Sequence, residues 1–103
     1  MGEAAVLNRP LALVLDPADN VAVAVVAIAA GTAVALGDGV TVTTVQDIRF
    51  GHKLAVTAVA EGAPIRKYDE VIGLASEDIP AGAHVHVHNV VSARLPGPDA
   101  AVR

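Results

Sequence analysis

Cysteine and tryptophan are absent from this sequence of 103 residues, and phenylalanine and tyrosine occur once each, as Phe50 and Tyr68. Without cysteine there is no disulfide, no thiolate metal site and no cysteine nucleophile. This fits a reducing compartment, and we predict a cytoplasmic protein. With so few aromatic side chains, the core must be aliphatic.

Basic runs and long hydrophobic runs are missing too. The formal net charge is -4, and a phosphate backbone needs clustered Lys and Arg, so we expect no nucleic-acid partner. The most apolar stretch, 21–36, is interrupted by Gly31 and Thr32 and is shorter than the ~20 residues that span a bilayer. The first ten residues do not have the pattern of a signal peptide, so we expect no membrane contact.

Valine-rich stretches with alternating character predict strands, because a branched Cβ packs well on a pleated surface. Such stretches occur at 11–15, 21–25, 40–45, 53–59 and 84–91. Helix signals are weak, and only residues 69–76 are predicted to carry a short helical turn.

An internal repeat strengthens this interpretation. In 28–34 (IAAGTAV), 59–65 (VAEGAPI) and 79–85 (IPAGAHV), glycine lies three positions after one branched apolar residue and three before another. We expect each glycine to make a tight turn with positive φ between two anchored strands. The prediction is a compact all-β domain over residues 10–92 with short strands and at most one or two short helical turns. Residues 1–9 are predicted to be an extension and 93–103 a flexible tail.

The least common passage is His84-Val-His-Val-His88, which holds three of the four histidines. On one strand, alternate residues point to the same face, so we predict three imidazoles on one face, with Val85 and Val87 buried on the other. Two neighbouring imidazoles can hold one metal ion, whereas three on a straight strand span too far. The alternative is a polar face of a half-buried strand.

Two further segments carry candidate polar side chains. His52 and Lys53 follow Gly51 at a predicted strand start, where Lys53 is placed to bind an anionic group. Lys67 and Tyr68 are candidates to line a carboxylate site. The alternative is an ordinary solvated strand start in the first case and a solvated turn in the second.

Taken together, FGHK (50–53), IRKYDEVIG (65–73) and IPAGAHVHVHN (79–89) resemble the N-terminal SAF domain of altronate and galactarate dehydratases. The resemblance also takes in Asp19 and Asn20 and covers about residues 10–92. It implies a β-clip fold. At Asp69 the sequence departs from the glycine usual in the family, although aspartate tolerates left-handed conformations.

The resemblance also implies a function. These enzymes remove water from sugar acids with a divalent metal, often iron, and their small domain accompanies a much larger catalytic region. In the related sulfolactate sulfo-lyase the two are separate chains, and the sequence resembles such a stand-alone small subunit. We therefore predict a subunit of a sugar-acid hydro-lyase that is inactive alone, works with a large catalytic subunit and shares its metal. A homo-oligomer is left open.

The predicted roles follow the matching motifs. Catalytic roles are predicted for His52 and His86, metal binding for His84, His86 and His88, and substrate binding for Lys53, Lys67, Tyr68 and Asn89. Three alternatives stay open: a non-catalytic SAF binding or assembly module, a subunit of a sulfolactate sulfo-lyase-like enzyme, and a free metal-binding protein.

Overall fold

The computed structural model describes residues 10–37 and 39–92, and all of their regular elements are strands. This confirms the all-β prediction. No part of the chain that the structure describes forms a helix able to cross a membrane. The predicted extension over 1–9 and tail over 93–103 lie outside the described residues. The strands are β1 (Ala12–Leu13), β2 (Val21–Ala24), β3 (Ala33–Gly37), β4 (Val40–Thr43), β5 (Lys53–Ala55), β6 (Pro64–Lys67), β7 (Glu70–Ala75), β8 (His84–Val85) and β9 (Val90–Val91).

The strands form three small antiparallel sheets. Their orders are β1-β2-β5-β8, β3-β4 and β6-β7-β9. Alanine and valine fill little volume, so sheets that rest on them must pack closely. Short strands suit such close packing.

The predicted glycine corners are present. Gly31, Gly62 and Gly82 have φ of 82°, 87° and 86°, the left-handed region that favours glycine. The sequence analysis missed a fourth corner, at Gly51, whose φ is 82°. Gly51 lies three residues after the buried Ile48, so the same pattern of anchor and glycine would have identified it.

The four corners belong to a duplication with a period of 31 residues. An isolated bridge joins Ile28 to Ile48, and another joins Val59 to Ile79, each residue 31 positions further along. The side chains repeat as well: Asp47 accepts a hydrogen bond from the Ala30 N–H at 2.9 Å, and Asp78 accepts one from the Glu61 N–H at 2.8 Å.

Each repeat builds its own apolar core. The first core contains Ala24, Ile28, Val34, Ile48 and Leu54, and the second contains their equivalents Ala55, Val59, Ile65, Ile79 and Val85. The aliphatic core expected from the composition is therefore divided into two clusters. The second cluster fixes the strand from which the histidines project.

The prediction of one strand over 84–91 is wrong. The chain turns after Val85 and resumes as β9 at Val90. The buried Asn89 causes the turn, because its side-chain amide bonds the main chain of His84 and His86 and so competes with a continuous strand ladder. The prediction that Val87 is buried is also wrong, since this side chain lies in the turn and is 81% exposed.

The predicted helical turn over 69–76 is wrong as well, because β7 occupies it and pairs with both β6 and β9. Two features favour the strand. Gly73 lets β9 approach, since a Cβ there would collide with Val90 and the main chain of Val91. Tyr68 and Asp69 both have positive φ, 61° and 62°, as in the two-residue hairpin turns that match strand twist.

Gly82 and Gly62 provide a matched pair of positions at which the loss of stability caused by an added side chain can be compared. Both have positive φ, but a Cβ at Gly82 would also collide with the main-chain oxygen of Thr43, whereas nothing lies near a Cβ at Gly62. Gly62→Ala should lower the free energy of unfolding by about 1–2 kcal/mol, and Gly82→Ala by about 2–5 kcal/mol, because overpacking adds to the backbone strain. Chemical denaturation of both variants measures this, and equal losses would contradict the close approach.

Val85 and Val87 provide a second pair. Val85 is fully buried in the second core, whereas Val87 is exposed. Val85→Ala should lower the free energy of unfolding by about 1–3 kcal/mol, since burial is lost and a cavity remains. Val87→Ala should change it by no more than about 0.5 kcal/mol. Thermal and denaturant melts test this order, and a larger loss in Val87→Ala would reject the turn described here.

Candidate functional site

Strands β5 and β8 bring two histidines from distant parts of the chain together. The strands pair antiparallel, with Lys53 opposite Val85 and Leu54 opposite His84. His52 follows the Gly51 corner directly and precedes β5. As a result, the Nδ1 of His52 lies 2.9 Å from the Nε2 of His84. One ring donates and the other accepts, so at least one of them is neutral.

His86 completes an imidazole cluster, defined here as His52, His84 and His86. One ligating nitrogen from each ring lies within 4.8 Å of those of the other two. The His52 and His86 rings stack with their centroids 4.2 Å apart and their planes at 16°. His88 is exposed, and its ring centroid lies 5.2 Å from that of His84. The predicted ligands His84 and His86 therefore lie together, with His52 rather than His88 as the third member.

The donor set of the imidazole cluster fits a divalent transition metal. Imidazole nitrogen binds zinc at about 2.0–2.1 Å, and imidazole also suits iron, copper and nickel. Two such nitrogens on a tetrahedral ion lie roughly 3.3 Å apart, within the range of separations found here.

The surroundings favour the neutral form of His84 and His86. Partial burial lowers the pKa of His84, and the nearby His52, His88, His86 and Lys53 lower it further. The pKa of His86 is lowered by desolvation, then by His52, Lys53 and His88. Neutral imidazole is the form that binds a metal or accepts a proton.

Lys53 brings positive charge to the imidazole cluster, and the charge of Lys67 acts on Lys53. Lys53 is half-buried and lines a groove of about 280 Å³ together with His86. Burial lowers the pKa of Lys53, and the positive charge of Lys67 lowers it further. Two ammonium groups that repel each other near imidazoles favour an anion beside them.

The other two predicted substrate contacts have different surroundings. Tyr68 lies at the hairpin turn with its side chain 68% exposed, and the N–H groups of Tyr68 and Asp69 donate to the buried carboxylate of Asp19 at 2.9 and 2.8 Å. Asn89 is buried and engaged within the turn. Substrate binding by either residue stays a prediction.

Two contacting residues were missed by the sequence analysis. Asn20, which entered only as part of the resemblance and without a role, accepts from the Arg66 N–H at 2.7 Å and donates to the Pro64 carbonyl at 2.9 Å, so it holds β6. Gln46 had no assigned role, yet it accepts a hydrogen bond from the His84 N–H at 2.8 Å. Gln46 precedes Asp47 at a corner, and the 31-residue repeat was the only signal that marks this position.

Comparison with known proteins assigns the family. The family model "altronate/galactarate dehydratase SAF domain" matches residues 10–93. The chain belongs to this family.

Several relatives share the SAF domain. Altronate dehydratase of Escherichia coli is 54% identical over 71 residues, which cover 69% of this chain and 14% of that protein. The (2R)-sulfolactate sulfo-lyase subunit alpha of Paracoccus pantotrophus is 42% identical over 52 residues, or 50% of this chain and 78% of that subunit. The (2R)-sulfolactate sulfo-lyase subunit alpha of Chromohalobacter salexigens is 47% identical over 47 residues, which cover 46% of this chain and 50% of that subunit. The chain thus spans only a small part of altronate dehydratase and most of one alpha subunit.

The lowered pKa values of His84 and His86 make the stability of this SAF domain depend on pH. Above the ordinary pKa of 6.5, both the folded and the unfolded chain carry neutral rings. As the pH falls below 6.5, the unfolded chain binds protons first, so the free energy of unfolding decreases until the lowered pKa values are passed.

Denaturant melts between about pH 7.5 and 5 measure this loss. The double variant His84→Gln/His86→Gln serves as control, and its stability should fall less over the same interval. NMR titration of the native chain should give both rings midpoints below 6.5. Midpoints above that value would contradict the crowded, partly desolvated cluster.

Proposed function

We propose that this SAF domain is the small subunit of a metal-dependent hydro-lyase that acts on a sugar acid, with its active site completed by a large catalytic subunit. The observation that carries the proposal is the imidazole cluster with Lys53 beside it, in a domain of the altronate/galactarate dehydratase family. The aliphatic composition, free of cysteine, suits the cytoplasmic location that we propose with it.

The chemistry of dehydration matches these groups. Loss of water next to a carboxylate needs a base for the α-proton and an acid or a metal for the departing oxygen. His52 and His86 are the proposed proton-transfer groups, because neutral imidazole accepts a proton near pH 7. The ammonium group of Lys53 is the proposed partner of the substrate carboxylate, and the nearby charge of Lys67 supports the binding of an anion there.

A divalent metal is part of the proposal. His52, His84 and His86 would hold it, and iron is one candidate among metals that imidazole suits. When bound, the metal would act as a Lewis acid on substrate oxygen. His52 and His86 then each have two proposed roles, and the variants described below separate them.

The large partner is proposed for two reasons. A hydro-lyase site that binds a polyhydroxylated acid needs several hydrogen-bonding groups, while the groove beside His86 is lined mainly by apolar side chains such as Ile72 and Val87. In the P. pantotrophus relative, the matched residues make up most of a protein named as a subunit. That relative supports a subunit role for a domain of this kind.

A sulfo-lyase-like enzyme is the second candidate. It is favoured by the same relative, since the match covers 78% of a (2R)-sulfolactate sulfo-lyase subunit. The two candidates differ in substrate, so one assay with both classes of acid separates them.

Reconstitution tests the proposed function. The chain alone should turn over neither altronate, galactarate nor sulfolactate, and addition of a large dehydratase-like subunit should produce turnover of one of them. His52→Ala and His86→Ala should lower kcat by about 10²–10⁴-fold, the usual contribution of an acid–base group.

The exposed Glu61 supplies a control, and Glu61→Gln should keep full activity. If metal content falls with kcat in His52→Ala or His86→Ala, ligation explains the loss in that variant, whereas retained metal points to proton transfer. Turnover by the isolated chain would reject the two-subunit proposal. Full activity in both histidine variants would reject the site.

A further inference from the structure

The main chain between His84 and His86 is held from both sides. On one side, the Nδ2 of Asn89 donates to the His84 carbonyl at 2.8 Å, and the Oδ1 of Asn89 accepts from the His86 N–H at 2.9 Å. On the other side, the Oε1 of Gln46 accepts from the His84 N–H at 2.8 Å. Three hydrogen bonds from two side chains therefore set the positions of two members of the imidazole cluster.

Gln46 reaches His84 because the two repeats touch through their main chains. The Val45 N–H donates to the Gly82 carbonyl at 3.0 Å, and the missing side chain of Gly82 lets Thr43 approach. Gln46 directly follows Val45 in the first repeat, and His84 lies two residues after Gly82 in the second. The contact therefore brings Gln46 and His84 together. The cluster position thus depends on a residue of the other repeat.

Gln46 is not needed for the corner where it lies. The corner is closed by the carboxylate of Asp47 in the first repeat and by that of Asp78 in the second. Glu77, 31 positions after Gln46, is exposed like Gln46 and also precedes the corner aspartate. The contact with His84 therefore distinguishes Gln46 from its counterpart.

We infer that Gln46 is a positioning residue for the imidazole cluster: by accepting from the His84 N–H, it sets where the His84 ring meets His52 and His86. The catalytic meaning of this role rests on the proposed function. The positioning itself does not, because it concerns the geometry and metal affinity of the cluster in the chain alone.

The test compares Gln46→Met, which keeps the length of the side chain without a strong acceptor, with Gln46→Glu, which keeps an acceptor oxygen. The first readout is the set of NMR shifts of the imidazole rings, which respond to ring stacking. The second is the Kd for Co²⁺ from its absorption spectrum. Glu77→Met is the matched control at the equivalent corner.

In Gln46→Met we expect displaced shifts of the His84 and His52 rings. We also expect the Kd for Co²⁺ to rise by about 10-fold or more, the usual effect of mutating a residue that hydrogen-bonds a metal ligand. Gln46→Glu should keep the ring shifts of the native chain and bind Co²⁺ at least as tightly as the native chain. Glu77→Met should leave both readouts native. Thermal melts should show all three variants folded.

Native ring shifts in Gln46→Met overturn the inference, whether or not Co²⁺ binds. Equal changes in Gln46→Met and Glu77→Met overturn it too, because they would reflect a general disturbance of the corners. If reconstitution yields no lyase activity while Gln46→Met still displaces the rings and Gln46→Glu restores them, the proposed function fails and the positioning role stands.

Discussion

The main-chain contact at Gly82 is the constraint on which the rest of the site depends. Gly82 adopts φ of 86° and leaves no Cβ between its backbone and that of Thr43. Its N–H donates to the Ala55 carbonyl at 2.8 Å while its own carbonyl accepts from Val45 at 3.0 Å. One residue therefore joins β5, the first repeat and the start of the histidine segment. Any side chain here would collide with the main chain of Thr43 and push the first repeat away from the start of the histidine segment.

The duplication explains how so small a chain builds a site. Each repeat closes its corners with an isolated bridge and an aspartate, and each fills its own aliphatic cluster. Neither cluster contains a large aromatic residue, so the repeats need short main-chain contacts between them. The histidines lie where the strands of the two repeats pair. The duplication builds the strands and corners. The imidazole cluster comes from departures from symmetry, such as His84 at the position equivalent to Lys53.

Crowding gives the imidazole cluster its properties. Desolvation lowers the pKa values of His84 and His86, and the rings, which are stacked with centroids 4.2–5.3 Å apart, lower them further because they repel one another when protonated. The neutral form of His84 and His86, beside a partly buried lysine, is what supports the proposed metal-assisted reaction of a carboxylate.

Local pattern in the sequence determined the all-β class and the corners at Gly31, Gly62 and Gly82, because glycine conformation and strand alternation act over a few residues. The left-handed Asp69 could also be expected from its side chain. The tertiary structure alone decided which histidines meet. Asn89 turns the chain and exposes Val87, so the expected straight row does not form, and strand pairing instead brings His52 from 32 residues away to His84. Contacts of that kind depend on register between distant strands, which no local pattern encodes.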